Sequence, residues 1–212
     1  MSTFFFLLAI IPSIILHEVS HGYVAYLCGD PTAKNAKRLT LNPLRHVDPF
    51  GTLLLPFLLI VSHIPAIGYA KPVPVNIGLL RRPRNQSVLV SLAGPFTNIV
   101  LSAIAFFYCH YELHHASVFS LTNGYTFFDF MLDFGLVNLT LAVFNLLPIP
   151  PLDGSAVIER FVPQRHLPKY YVFRARALPV VMAILILNAI TFHVGESWLS
   201  NLQNWWINLA QS

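Results

Sequence analysis

Charge is the scarcest property of this chain. Of its 212 residues, 10% are Asp, Glu, Lys or Arg and 55% are hydrophobic, whereas a soluble domain carries about 25% charged residues. That imbalance excludes an ordinary globular domain and points to a protein that crosses a membrane several times. Cysteine is nearly missing as well. Cys28 and Cys109 are the only two, which excludes a disulfide framework or a Cys-rich metal site; they are expected on opposite membrane faces, unpaired. Lys and Arg are absent altogether from residues 1–33, 85–159 and 177–212. The first of these gaps leaves no basic n-region, so the N-terminal apolar run is not read as a cleaved signal peptide. No internal repeat, low-complexity tract or soluble domain is discernible.

The basic residues that are present define a topology. All 13 fall in two blocks, eight between Lys34 and Arg84 and five between Arg160 and Arg176. Short loops rich in Lys and Arg stay cytoplasmic, so both blocks are placed inside. This distribution also explains the net charge of +4 without a nucleic-acid partner, and anionic lipid headgroups are its expected counterpart. Four apolar segments then cross between the zones: 3–27, 87–111, 125–147 and 177–194. Each is close to the roughly 20 residues that a spanning helix needs. Both termini are expected outside. The apolar stretch 50–68, interrupted by Pro56 and Pro65 and flanked by basic residues on both sides, is expected to re-enter the membrane; a fifth full span is the alternative.

Residues 70–75 alternate Pro with β-branched residues, which suits an extended strand or hairpin with a free edge. The tail 196–210 spaces Trp and Leu as an interfacial helix does. The expected fold class is therefore an all-α polytopic membrane protein. It has about four full transmembrane helices, a re-entrant or fifth hydrophobic segment and a small membrane-associated β-hairpin. All of it forms one domain over 1–212, with a core of 3–160.

The first apolar run ends in His17-Glu18-Val19-Ser20-His21. Ionisable groups in a membrane are costly and mark functional sites. On a helix, positions i and i+4 share a face, so His17 and His21 can reach one metal ion, and Glu18 is placed to take a proton from water. At 1.5 Å per residue, His17 lies roughly 20 Å from the outer face of a ~30 Å core. A third ligand must reach that depth. The third span ends inward in Asn145-Leu146-Leu147-Pro148-Ile149-Pro150-Pro151-Leu152-Asp153-Gly154, whose prolines break the helix, and this makes Asp153 the expected third ligand. Asp129 and Asp133 lie near the outer end of that span; Asp30 and Asp48 lie in inner loops. His46, His63, His110, His166 and His193 read as interfacial polar residues.

These strings, with Ala93-Gly94-Pro95-Phe96-Thr97-Asn98 and Tyr69-Ala70-Lys71-Pro72-Val73-Pro74-Val75-Asn76, resemble the site-2 protease family of intramembrane zinc metalloproteases over about residues 10–160. The resemblance is to its compact branch, since no insert is long enough for a PDZ or CBS domain. It implies one Zn2+ per chain on His17, His21 and Asp153, with Glu18 as catalytic acid/base and Asn98 and Asn145 near the site. It also implies cleavage of a membrane-spanning helix of another protein, often after a first cut by a different protease, in a bacterial inner membrane with the site toward the cytoplasm.

Asn145 or Asn98 could donate to the oxyanion; helix–helix hydrogen bonding is the plainer role for both. The edge at Val73 and Val75 could pair with an unwound substrate strand. A membrane metal transporter, a catalytically silent scaffold and a protease of prenylated termini remain as alternatives. The last usually takes its third ligand from a Glu, and the Asp153-Gly154 string argues against it.

Overall fold

A computed structural model describes residues 3–48, 71–115, 127–187 and 196–211, together with isolated positions between 51 and 61. The elements are α1 (Thr3–Leu27), the short α2 (Thr32–Asn35), α3 (Pro83–His115), α4 (Phe127–Leu146), the short α5 (Ser155–Glu159), α6 (Leu167–Leu187) and α7 (Glu196–Gln211).

Helices α1, α3 and α4 pack on one another as a three-helix bundle. In a membrane, lipid competes for apolar surface, so helices associate through small and polar residues that let backbones approach. The buried face of α3 follows that rule: Gly94, Asn98, Ser102 and Ala105 recur at three- and four-residue spacing, on one side of the helix. They meet Ser13 of α1 and Gly135 and Asn138 of α4, and Ala9 of α1 and Ala142 of α4 are buried as well. Large apolar residues such as Phe96, Ile104 and Phe107 point outward, where lipid would cover them.

One end of the bundle is closed by α7, whose Trp206 is buried against Ala105, Cys109 and Leu136. The indole lies so close to Gly135 that a Cβ there would meet it at 2.5 Å. The other end, where Leu80 and Val90 pack on Ala25, carries the loops that build the site.

Three helices are long and apolar enough to cross a membrane: Leu8–Leu27 within α1, α3 and α4. The expected count of four is thus corrected to three among the described residues. The described part of the fourth segment belongs to α6, which begins at Leu167 and carries Lys169, Arg174 and Arg176; residues 188–194 lie outside the described residues. The proposed re-entrant segment 50–68 falls mostly outside them too. Cys28 and Cys109 are free thiols.

The expected β-hairpin is also corrected: no strand occurs among the described residues. Residues 71–76 take no regular secondary structure, and three of their four main-chain donors are spent elsewhere. Pro72 and Pro74 have no N–H. The amide of Lys71 donates to the His46 carbonyl at 2.9 Å, that of Val73 to Glu18 Oε2 at 2.8 Å and that of Asn76 to Asp30 Oδ2 at 2.6 Å. A ladder would need those groups paired with a neighbouring strand. The segment is a strap pinned by side chains and a loop carbonyl.

Asp30 anchors one end of that strap. It is fully buried and also accepts from the Thr32 amide, at 2.9 Å, and the Thr32 hydroxyl. Burial works against its carboxylate, but the Thr32 hydroxyl and the amides of Asn76 and Thr32 outweigh that and hold its pKa below the usual range.

Candidate metal centre

The bundle brings His17, His21 and Asp153 together. One ligand atom from each lies within 4.8 Å of the others. His17 Nε2 and His21 Nε2 are 3.1 Å apart, and Asp153 Oδ2 lies 3.1 Å from the first and 3.4 Å from the second. The two rings stand nearly perpendicular, at 87°.

Asp153 arrives from the loop after α4. Pro148, Pro150 and Pro151 stop the helix there, and the Gly154 amide returns to the Asn145 carbonyl at 2.7 Å. A Cβ on Gly154 would run into the Leu146 carbonyl, so glycine is what lets the loop fold back. Its carboxylate faces both imidazoles.

A chain of hydrogen bonds decides which nitrogen of each imidazole is free. The Phe134 carbonyl can only accept, and Asn138 Nδ2 lies 2.8 Å from it. Asn138 Oδ1 then accepts from Asn98 Nδ2 at 2.7 Å. That turns Asn98 Oδ1 toward His17 Nδ1, 2.5 Å away, so Nδ1 must donate. His21 Nδ1 faces the Val90 carbonyl at 2.7 Å and must donate as well. Both Nε2 atoms are then unprotonated acceptors. In membranes such side-chain hydrogen bonds average about 0.6 kcal/mol each. The relay therefore serves chiefly to fix ring orientation and tautomer, the usual task of groups behind metal-binding histidines.

Two nitrogen lone pairs and a carboxylate oxygen thus converge with no proton between them, and Asp153 Oδ2 is buried without a hydrogen-bond donor. Such a cluster is unfavourable unless a cation fills it. The two-nitrogen, one-oxygen donor set suits zinc and leaves a fourth position open. Gly94 keeps the space clear: a Cβ there would lie 2.5 Å from His17 Cε1 and from His21 Nε2.

The ligands open into a cavity of about 580 Å³ that Glu18, Val73, Val75 and Asn145 also line. Glu18 is half-buried and bonded to the strap. Asn145 donates one amide hydrogen to the Leu141 carbonyl at 3.0 Å and keeps the other available to the cavity. Asn98 is fully buried; its NH2 group is directed to Asn138 and, at 3.4 Å, to the Ser13 carbonyl. Asp129 and Asp133 lie in the early turns of α4 and Asp48 holds the Gly51 amide at 2.7 Å; none joins the ligand cluster.

Sequence reasoning missed four supports of this site. Asn138 and Ser13 complete the relay behind His17; an Asn inside an apolar helix is the signal that could have found the first. Glu159 and Arg174 form the far wall of the cavity. Buried Glu159 binds Arg174 at 3.0 Å and accepts from the Tyr171 hydroxyl at 2.9 Å, tying α6 to the helix that follows Asp153. Burial and then Glu159 push Tyr171 up to about 12, so it stays a donor.

Comparison with known proteins adds family evidence. The family profile described as "Peptidase family M50" matches residues 5–126 and 113–188. The Bacillus subtilis (strain 168) protein named "Putative zinc metalloprotease YwhC" is 43% identical over 163 residues, covering 75% of this chain and 69% of that protein. "Putative zinc metalloprotease Rip2" of Mycolicibacterium smegmatis is 34% identical over 149 residues, and the Mycobacterium tuberculosis (H37Rv) protein of the same name is 35% identical over 150. Each of those alignments covers 69% of this chain and 53% of the mycobacterial protein, so the chain spans about half of their length. No solved structure matches.

Proposed function

The chain belongs to peptidase family M50 and is a membrane-embedded zinc metalloprotease, and we propose that it cuts peptide bonds within or near transmembrane segments of other membrane proteins. The observation that carries this reading is the convergence of His17 Nε2, His21 Nε2 and Asp153 Oδ2 beside Glu18 in one cavity. His17, His21 and Asp153 would hold one zinc ion, which supplies Lewis acidity toward the scissile carbonyl. Glu18 takes the proton of the attacking water and returns it to the leaving amine. Asn145 has an amide hydrogen available for the oxyanion. Helical substrate hides its peptide bonds in its own hydrogen bonds, so it must enter unwound, and Val73 and Val75 place an extended edge beside the cavity for it. Arg38, Arg84 and Arg160 surround this end of the bundle, which supports a cytoplasmic orientation.

Metal removal tests the assignment. Purified protein in liposomes with a single-span substrate should lose cleavage when stripped by a chelator. It should recover as zinc returns to about one ion per chain. Cleavage by fully stripped protein would sink the proposal.

The relay behind His17 makes a further expectation. Asn98→Ala should weaken zinc affinity roughly ten- to a hundredfold, the usual cost of losing a group behind a ligating histidine. Competition against a metal-binding dye measures it, and unchanged affinity would mean that the relay serves packing alone.

A further inference from the structure

The strap 71–76 is held more firmly than a substrate edge requires. At one end Arg38 Nη2 donates to the Lys71 carbonyl at 2.6 Å while the Lys71 amide donates to His46. At the other, buried Asp30 takes the Asn76 amide. In the middle Val73 is buried. Its Cγ1 occupies the space that Gly22, the neighbour of His21, leaves open; a Cβ on Gly22 would meet it at 2.7 Å. With both ends and the side chain fixed, the Val73 N–H points at Glu18 Oε2, 2.8 Å away. Pro72 and Pro74 flank it with rigid φ and no N–H, so this is the sole main-chain donor of residues 72–74.

We infer that Val73 is a positioning residue for the reaction: its backbone amide fixes one oxygen of the Glu18 carboxylate and leaves the other, Oε1, to face water. The inference rests on Glu18 being the acid/base of the proposed function. A hydrogen bond to a charged group is among the stronger ones, and it removes the rotation that would turn the carboxylate away from the reacting atoms. It also changes what the strap offers to a substrate. The Val73 donor is already committed, so a substrate strand meets carbonyls at 72–74 and a free donor no earlier than Val75.

The test compares Val73→Pro, which removes the N–H, with Val73→Ala, which keeps it, in the full chain in liposomes, reading kcat, KM and bound zinc. A backbone amide-to-ester exchange at position 73, which keeps the side chain, serves in place of Val73→Pro if that variant fails to fold. Loss of the N–H should lower kcat on the order of ten- to a hundredfold, the scale of a small misplacement of a catalytic group. KM and zinc content should stay near wild type. Val73→Ala, which keeps the N–H but trims the side chain that helps to aim it, should lose clearly less kcat than Val73→Pro. Val75→Pro should instead raise KM, which reports the substrate edge separately. The inference falls if kcat is unchanged without the N–H, if Val73→Ala loses as much as Val73→Pro, or if the loss lies in KM alone. Glu18→Gln measured alongside keeps the two readings apart. Full activity in that variant would refute the acid/base role itself, whereas an inactive Glu18→Gln with wild-type kcat at Val73→Pro would refute only the positioning role.

Discussion

Glu18→Gln should leave zinc bound and abolish cleavage. The substitution keeps the length and shape of the side chain, and the amide oxygen can still accept from the Val73 N–H that now holds Oε2. None of the three converging ligand atoms is touched. What disappears is the ability to take a proton from water and pass it on. General acid–base catalysis contributes typically about 10²–10⁴-fold, and here one group performs both transfers, so the loss in kcat/KM should sit at the upper end of that range. Metal analysis of the purified variant should return the wild-type zinc content. Cleavage of a single-span substrate in liposomes should fall to background, and intact substrate should co-purify with the variant. Wild-type cleavage by Glu18→Gln would refute the role; loss of zinc together with activity would show that Glu18 supports the metal instead.

Much of this arrangement was legible in the sequence, and the reasons separate by range. His17 and His21 are one helical turn apart, and the apolar run that carries them is a local pattern, so their common face could be read directly. Asp153 followed from a broken helix end that had to lie at the same depth, and the structure does bring its carboxylate to both imidazoles. The hairpin was misread because alternating Pro and Val looks like a strand edge, whereas strand formation depends on where the donors go. Those destinations, Glu18, Asp30 and His46, are far away in sequence. The fourth span was misjudged for a related reason. Its helix starts ten residues earlier than the apolar stretch, in a basic segment, because Tyr170, Tyr171 and Arg174 bind the Ser155 carbonyl and Glu159. The relay from Asn138 through Asn98 to His17 spans three helices, and no local pattern encodes it. Gly94 keeps clear the space in front of both imidazoles, which only the folded positions of His17 and His21 reveal.

That reading of Gly94 can be tested by a single methyl group. A Cβ at this position would lie 2.5 Å from His17 Cε1 and His21 Nε2 and 2.6 Å from His17 Nε2. Ordinary carbon contacts are about 3.5–4.0 Å, so both rings would have to retreat by about 1 Å. They cannot do so freely, because Asn98 holds one Nδ1 and the Val90 carbonyl the other. A zinc ligand tolerates displacement of only about 0.2 Å from its bonding distance. Gly94→Ala should therefore lose most of its bound zinc and, with it, cleavage by about a hundredfold or more. Gly135→Ala is the matched control. Its Cβ would meet Trp206 Cζ2 at 2.5 Å, an equal crowding on the far side of the bundle. That variant should lose thermal stability, at a cost of about 1–3 kcal/mol, while its folded fraction keeps one zinc per chain. If both variants lose zinc equally, crowding has loosened the whole bundle. If Gly94→Ala keeps its zinc, the space in front of the two imidazoles is not where the metal sits.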